Sequence, residues 1–568
     1  MAANGRILRS GVLICVIALL LLPIGAGLWK TVLAAFGQVQ VLGIALPPLT
    51  PWAELLGQPG FGRSVAVTLF TGLASTALAL VLAFALTGAV YHRLVGARGA
   101  RWLAPFLSVP HAALAIGLAF VLAPSGWIAR ALAPVFGWAA PPGVILVGDP
   151  MGWGLIIGLT IKEVPFLVLM ILAALSQIPL RQTFAVGRAL GYGRGLVWMK
   201  IVVPQLWPLI RLPVMVVLAY ALSVVDMALI LGPSHPPTLS VLLTRLFSSP
   251  DLTQIAPASA GAVLQLSLVL AAFLVLWGAE RGARRIGLWW LRAGGRGSSA
   301  EPLLRAGTAL AVGLAIIGAL ALLALAVWSF AFRWAWPDPL PQSWSTRAWQ
   351  TAAQSWSGHL NHTLVLALVS VSASLALAIA WLEGEDRGRL SRTRWAQAFV
   401  YVPLLVPQIA FLPGLNGLFL QAGLSGNVMA VAWAHALFVF PYVMITLSGP
   451  WRAVDDRLPR IAAALGAGPW RRLIAVKLPV LLAPLAAAAA VGIAVSVAQY
   501  LPTLFIGGGR VATITTEAVA LSSGADRRIT AVYASLQAGL PLLVYAAAFA
   551  VPALVYRNRR ALLAEALA

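Results

Sequence analysis

Apolar residues in this chain come in runs of about twenty, each long enough to cross a hydrocarbon core as a helix. The two-residue alternation of a β-barrel strand is absent. The runs predict helical spans near 11–34, 64–91, 103–123, 152–175, 208–232 and 258–278 in the first half. The second half repeats the count, near 304–330, 360–382, 396–421, 427–448, 482–506 and 533–555. The expected fold is an all-α polytopic membrane protein of about 12 transmembrane helices, built as two parallel six-helix repeats. Residues 1–285 form the first half and 304–568 the second, with 286–303, rich in Arg, Gly and Ser, as the linker.

Composition agrees with the pattern. Of the 568 residues, 61 % are hydrophobic and 10 % charged, far fewer charges than the roughly 25 % of a soluble chain. The formal charge of +23 sits mainly in short loops on alternate sides of the spans, biased about three to one. That asymmetry predicts cytoplasmic termini and excludes a nucleic-acid partner, since no basic patch is interleaved with aromatics. A single cysteine, Cys15, permits no intrachain disulfide and no cysteine-based metal site.

Two basic loops carry the same pattern. The first reads Ala185-Val186-Gly187-Arg188-Ala189-Leu190-Gly191 and closes at Val203-Pro204; the second reads Arg460-Ile461-Ala462-Ala463-Ala464-Leu465-Gly466 and closes at Leu478-Pro479. Glycine and closing proline are both displaced by 275 positions (466 − 191 and 479 − 204). A short Ala-rich helix, a glycine turn and a second helix on one side of a membrane make a docking element with two equivalent partners. Tyr192 and Trp470 are its expected aromatic anchors.

Further alignment links Pro110…Gly117 with Pro407…Gly414, Pro165-Phe166 with Pro441-Tyr442, and Ser223-Val-Val-Asp226 with Ser496-Val-Ala-Gln499. The first half has an extra segment near 129–149. Ionisable residues at membrane depth are costly and often functional. Glu163, Asp226, Gln499 and Tyr500 are the candidates for a solute path, with Lys162 either lining it or pairing structurally. His435 reads as a satisfied interhelical histidine. The two carboxylates predict a locally acidic path. No phosphate-binding G-x-x-x-x-G-K-[ST] loop occurs, and the scattered histidines give no metal spacing, so no catalytic site, metal or cofactor is expected.

The repeated loops resemble the "EAA" motif of ABC-importer permeases, with the family glycine falling on Gly191 and Gly466 and the family glutamate replaced by Ala185 and Arg460. Gln499-Tyr500-Leu501-Pro502 and Lys162-Glu163-Val164-Pro165-Phe166 are similar to the fused, two-half YnjC-type permeases of that family. The resemblance implies that Ala189, Leu190, Gly191, Tyr192 and Pro204, with Ala464, Leu465, Gly466, Trp470 and Pro479, form two coupling elements. It also implies two ATPase subunits, a periplasmic substrate-binding protein, a bacterial inner membrane with its lipid, and a small-molecule substrate. The competing class is a major-facilitator-like secondary transporter, supported by Gly384-Glu385-Asp386-Arg387-Gly388-Arg389.

Overall fold

A computed structural model describes residues 10–39, 43–94, 108–298, 300–388, 394–524 and 526–558. The start of the expected third span, 103–107, lies outside them. Among the described residues, ten helices are long and apolar enough to cross a membrane, and two sharply bent pairs bring the count to as many as twelve. The first half contains α1 (Ser10–Ala35), α2 (Phe61–Leu94), α3 (His111–Leu122), α4 (Trp127–Phe136), α5 (Trp153–Leu175), α6 (Leu180–Ala189), α7 (Val203–Ser223), α8 (Asp226–Leu231) and α9 (Ile255–Arg292). The second contains α10 (Glu301–Phe330), α11 (Arg347–Gly388), α12 (Gln408–Gln421), α13 (Val428–Ala453), α14 (Arg457–Ala464), α15 (Leu482–Ala498), α16 (Leu501–Gly507) and α17 (Arg527–Val555).

Hydroxyl side chains are placed inside the spans at little cost because each bonds its own helix. On α2, Thr68, Thr71, Thr76 and Thr87 each donate to the carbonyl four residues earlier, at 2.7–2.8 Å.

Several spans differ from the straight rods that hydropathy alone predicts. The third span of the second half turns by 98° at Val406-Pro407 into α12, because proline cannot continue the hydrogen-bond ladder. The fifth spans are both broken. Helix α7 stops at Ser223 and α8 begins at Asp226; α15 stops at Ala498 and α16 begins at Leu501. Backbone dihedrals superimpose Val224 (φ −62°, ψ 137°) on Gln499 (φ −68°, ψ 116°), and Val225 (φ −114°, ψ −54°) on Tyr500 (φ −102°, ψ −64°). The breaks therefore keep the 275-residue displacement of the loops (499 − 224). Asp226 is equivalent to Leu501, and the alignment of Asp226 with Gln499 on a shared serine is corrected. The sixth span runs helical to Arg292, well past its apolar part, since Ala, Leu, Trp and Arg all tolerate helix. The connection between the helices of the two halves shortens to the segment between Arg292 and Glu301.

The halves are not side by side. Helix α1 packs against α12 of the second half, and α10 packs against α3 of the first. Both crossings need a glycine. A Cβ on Gly414 would overlap the Gly27 carbonyl, and one on Gly117 would overlap the Ala321 carbonyl. These aligned glycines bring backbone onto backbone, as small residues do where helices cross in lipid.

The extra segment near 129–149 has a structural role on the face opposite the repeated loops. Arg130 of α4 donates to the carbonyls of Ala335 (2.6 Å) and Asp338 (3.1 Å). Trp127 Nε1 donates to Pro339 and Trp336 Nε1 to Trp138. The segment so ties the first half to the short hairpin of Ala331–Arg333 and Ser343–Trp344.

Candidate functional site

Two features repeat across the halves: a pair of exposed loops, and a cavity to which both halves contribute.

Each loop is built the same way. Helix α6 ends in Gly191 at φ +79°, and α14 in Gly466 at φ +81°. Both lie in the left-handed region that favours glycine, which lets the chain reverse at once. A one-turn helix follows, and then a π-helical turn, Trp198–Val202 in the first copy and Leu473–Lys477 in the second, again 275 apart (473 − 198). Val186 and Leu190 stand on the outer face of α6, and Ile461 and Leu465 on that of α14, displaced by the same 275 (465 − 190). Leu190 is 53 % exposed and Leu465 82 %, so each loop presents a bare apolar pair at i, i+4 spacing. Ala189, Gly191, Ala464 and Gly466 are exposed beside them, as is Pro204; Pro479 is half-buried, its carbonyl accepting from Tyr556 Oη.

The supports of the two loops differ, and the sequence hid this. Tyr192 is not a bare anchor. Its hydroxyl donates to the Gly294 carbonyl at 3.2 Å, and its backbone pairs with Gly297 of the connection between the halves. Gly193 N–H donates to Gly297 O at 2.8 Å. Lys200 donates to the carbonyls of Trp290 and Gly295. The connection thus clasps the first loop. In the second copy Trp470 remains 62 % exposed, with the Arg387 guanidinium 4.7 Å over its ring. Beneath it Glu383 accepts from Arg387 Nε and Lys477 Nζ, both at 2.7 Å, and Lys477 also reaches Asp386 at 2.6 Å. The Glu385-Asp386-Arg387 string is therefore the footing of the second loop: Glu385 pairs with Arg452 at 3.1 Å.

The cavity, about 310 Å³, lies where the broken fifth spans meet the start of α3 and the bend at Val406-Pro407. Glu163, Asp226, Gln499 and Tyr500 all line it, and so does Lys162. Lys162 Nζ donates to the Val109 carbonyl at 2.5 Å, at the entry to α3. Tyr220 Oη lies 3.5 Å from Asp226 Oδ1, and its ring sits 4.6 Å from that of His111. His111 Nε2 approaches Glu163 Oε1 to 3.9 Å. His435 is elsewhere, its two ring nitrogens bonded to Ser496 and Thr503 at 2.9 Å each.

Sequence reasoning missed His111, Gln408, Phe166 and Tyr442, all lining residues. The signal was present in the aligned Pro110-His111/Pro407-Gln408 and Pro165-Phe166/Pro441-Tyr442 pairs. In each pair the lining residue directly follows a proline, and the same step recurs in both halves.

Comparison with known proteins meets this geometry from another direction. A protein of Escherichia coli strain K12 described as the inner membrane ABC transporter permease protein YnjC is 33 % identical over 502 residues, 88 % of this chain and 89 % of its own length. The chain belongs to the ABC-transporter permease family. The model of the binding-protein-dependent transport system inner membrane component matches residues 386–565 of this permease, the segment that holds the second loop and its cavity wall. The molybdenum transport system permease protein ModB of Mycobacterium bovis is 28 % identical over 216 residues, 35 % of this permease and 76 % of ModB. The putative 2-aminoethylphosphonate transport system permease protein PhnV of Salmonella typhimurium is 26 % identical over 115 residues, 20 % of this permease and 43 % of PhnV. Membership places the chain among multi-pass transport proteins of the inner membrane, whose ATP hydrolysis belongs to a partner. It removes the secondary-transporter alternative.

Proposed function

We propose that this permease carries a small solute through the cavity between its halves and is driven by separate ATPase subunits seated on the two repeated loops. A substrate-binding protein delivers the solute on the opposite face, which carries the α4–hairpin junction. The loops and both termini face the cytoplasm, following the basic bias of those loops. One observation carries the reading: two bare apolar pairs, Val186/Leu190 and Ile461/Leu465, stand on equivalent helices at equivalent positions. Apolar side chains held out in a basic loop need a groove to fill. Rocking of the halves, transmitted through the π-turns into α7 and the segment leading to α15, would open the cavity alternately to each side.

The test is a binding measurement between the reconstituted chain and its ATPase partner. Leu190→Asp and Leu465→Asp are each expected to weaken docking about thirtyfold, roughly 2 kcal/mol. Val144→Asp, on an exposed loop of the other face, is expected to leave docking unchanged. Undiminished docking in both loop variants would overturn the assignment.

A further inference from the structure

The charges of the cavity are distributed unevenly. His111, Lys162, Glu163 and Asp226 all come from the first half, whereas the second half contributes neutral hydrogen-bonding groups, Gln408, Tyr442, Gln499 and Tyr500. Of the charged groups, Lys162 is directed to the backbone carbonyl of Val109. Its charge still acts on Glu163 and Asp226, one ammonium against two carboxylates. The Glu163 side chain is 9 % exposed, and that remaining surface faces the cavity. Among the described residues no hydrogen bond is donated to its carboxylate; His111 approaches only to 3.9 Å. Asp226 accepts backbone N–H bonds from Met227 and from its own amide, and among the described side chains its hydrogen-bond contact is the long one from Tyr220. Two buried carboxylates thus border the open space with one ammonium, Lys162, acting on both, so the three groups together carry a formal charge of one negative.

Resting on the reading of this cavity as the solute path, we propose that it takes an organic cation, a small amine or quaternary ammonium compound held by Glu163 and Asp226 against the tyrosine faces. Desolvated carboxylates require a positive or donating partner. Tyr220, Tyr401, Tyr442 and Tyr500 line the same cavity, and aromatic rings beside carboxylates are the residue types that recognise ammonium groups. A volume of about 310 Å³ suits a small organic molecule. A bare metal ion fits less well: among the described residues no three metal-ligating side chains converge. An anion would meet two carboxylates against one ammonium, which also donates to the Val109 carbonyl.

The test reads the charge preference without an ATPase. In the full chain with Cys15→Ala, a single cysteine is placed on the wall by Ala498→Cys or, as a second site, Thr446→Cys. In lipid nanodiscs its rate of modification is measured with trimethylammonium-ethyl, sulfonatoethyl and neutral methyl methanethiosulfonates, each normalised to a free thiol. The cationic reagent is expected to exceed the anionic one by about tenfold, and Glu163→Gln with Asp226→Asn to reduce the ratio to within about threefold. A ratio at or below that of the free thiol, or one indifferent to neutralising the carboxylates, overturns the cation preference. Faster reaction of the anionic reagent assigns the path to anions held by Lys162. Failure of all three reagents at both sites, with normal reaction after unfolding, closes the cavity to solvent and overturns the path reading itself.

Discussion

Glu383→Gln is expected to cost about 3 kcal/mol of stability and to disconnect the second loop from the membrane helices. The carboxylate joins two cations, Arg387 at 2.7 Å and Lys477 at 2.7 Å, and is itself only 7 % exposed. Removing one charge from a buried pair leaves the others desolvated and uncompensated, which typically costs about 3–5 kcal/mol. The lower end applies because Lys477 keeps Asp386. Arg387 would retain only the Trp470 ring face among the contacts described above, and the loop would lose its fixed angle to α11. The comparison variant is Asp456→Asn. Its partner Arg460 lies at 3.1 Å, but both side chains are at least 75 % exposed, so the change should stay within about 0.5 kcal/mol. Unfolding in mixed micelles reads both. Equal losses, or a Glu383→Gln protein that transports normally, would contradict the role given to this footing.

Gly414→Leu should be more damaging still, abolishing the folded protein in the membrane. The new side chain would run into the backbone of α1 at Gly27 and Thr31, where no rotamer change relieves the overlap. Overpacking a core usually costs about 1–3 kcal/mol, and more where backbone is the obstacle. Gly313→Leu, on α10, is the control: a Cβ there meets nothing within 4 Å, and its expected effect is negligible. The yield of monodisperse protein after detergent extraction distinguishes the two. Comparable yields would show that α1 and α12 part freely.

What could be read from the sequence was local. The two loops were legible because glycine, proline and the apolar pair keep one spacing along the chain, and each feature is made by consecutive residues. Glu163 and Asp226 were legible because carboxylates in apolar runs are rare. Cavity membership of Gln408 depended on a bend at Pro407 whose direction no periodicity encodes, and that of His111 on where α3 starts against the other half. The equivalence of Val224 with Gln499 was obscured by a nearby shared serine, and only dihedrals corrected it. Tyr192 looked like an anchor because it is an aromatic residue directly after the loop glycine. Its burial depends on Gly294 and Gly297, a hundred residues away in a stretch that reads as a featureless connector. The Glu383–Lys477 bridge likewise spans distant helices, and from sequence the acidic string resembled a loop motif of another transporter class.

The crossing of first helices has a consequence for motion. Helix α1 lies between α9 of its own half and α12 of the other; α10 lies between α17 of its own half and α2 and α3 of the other. At the described glycines of these seams, backbone meets backbone on the foreign side, at Gly27–Gly414 and Ala321–Gly117. Slippage between helices is easiest where side chains, not main chains, fill the seam. If the halves rock as proposed, each is expected to carry its neighbour's first helix in place of its own, with the gliding seams along α1–α9 and α10–α17. Their displacement must be absorbed by the segments that lead into and out of α1 and α10, including the connection that clasps the first loop.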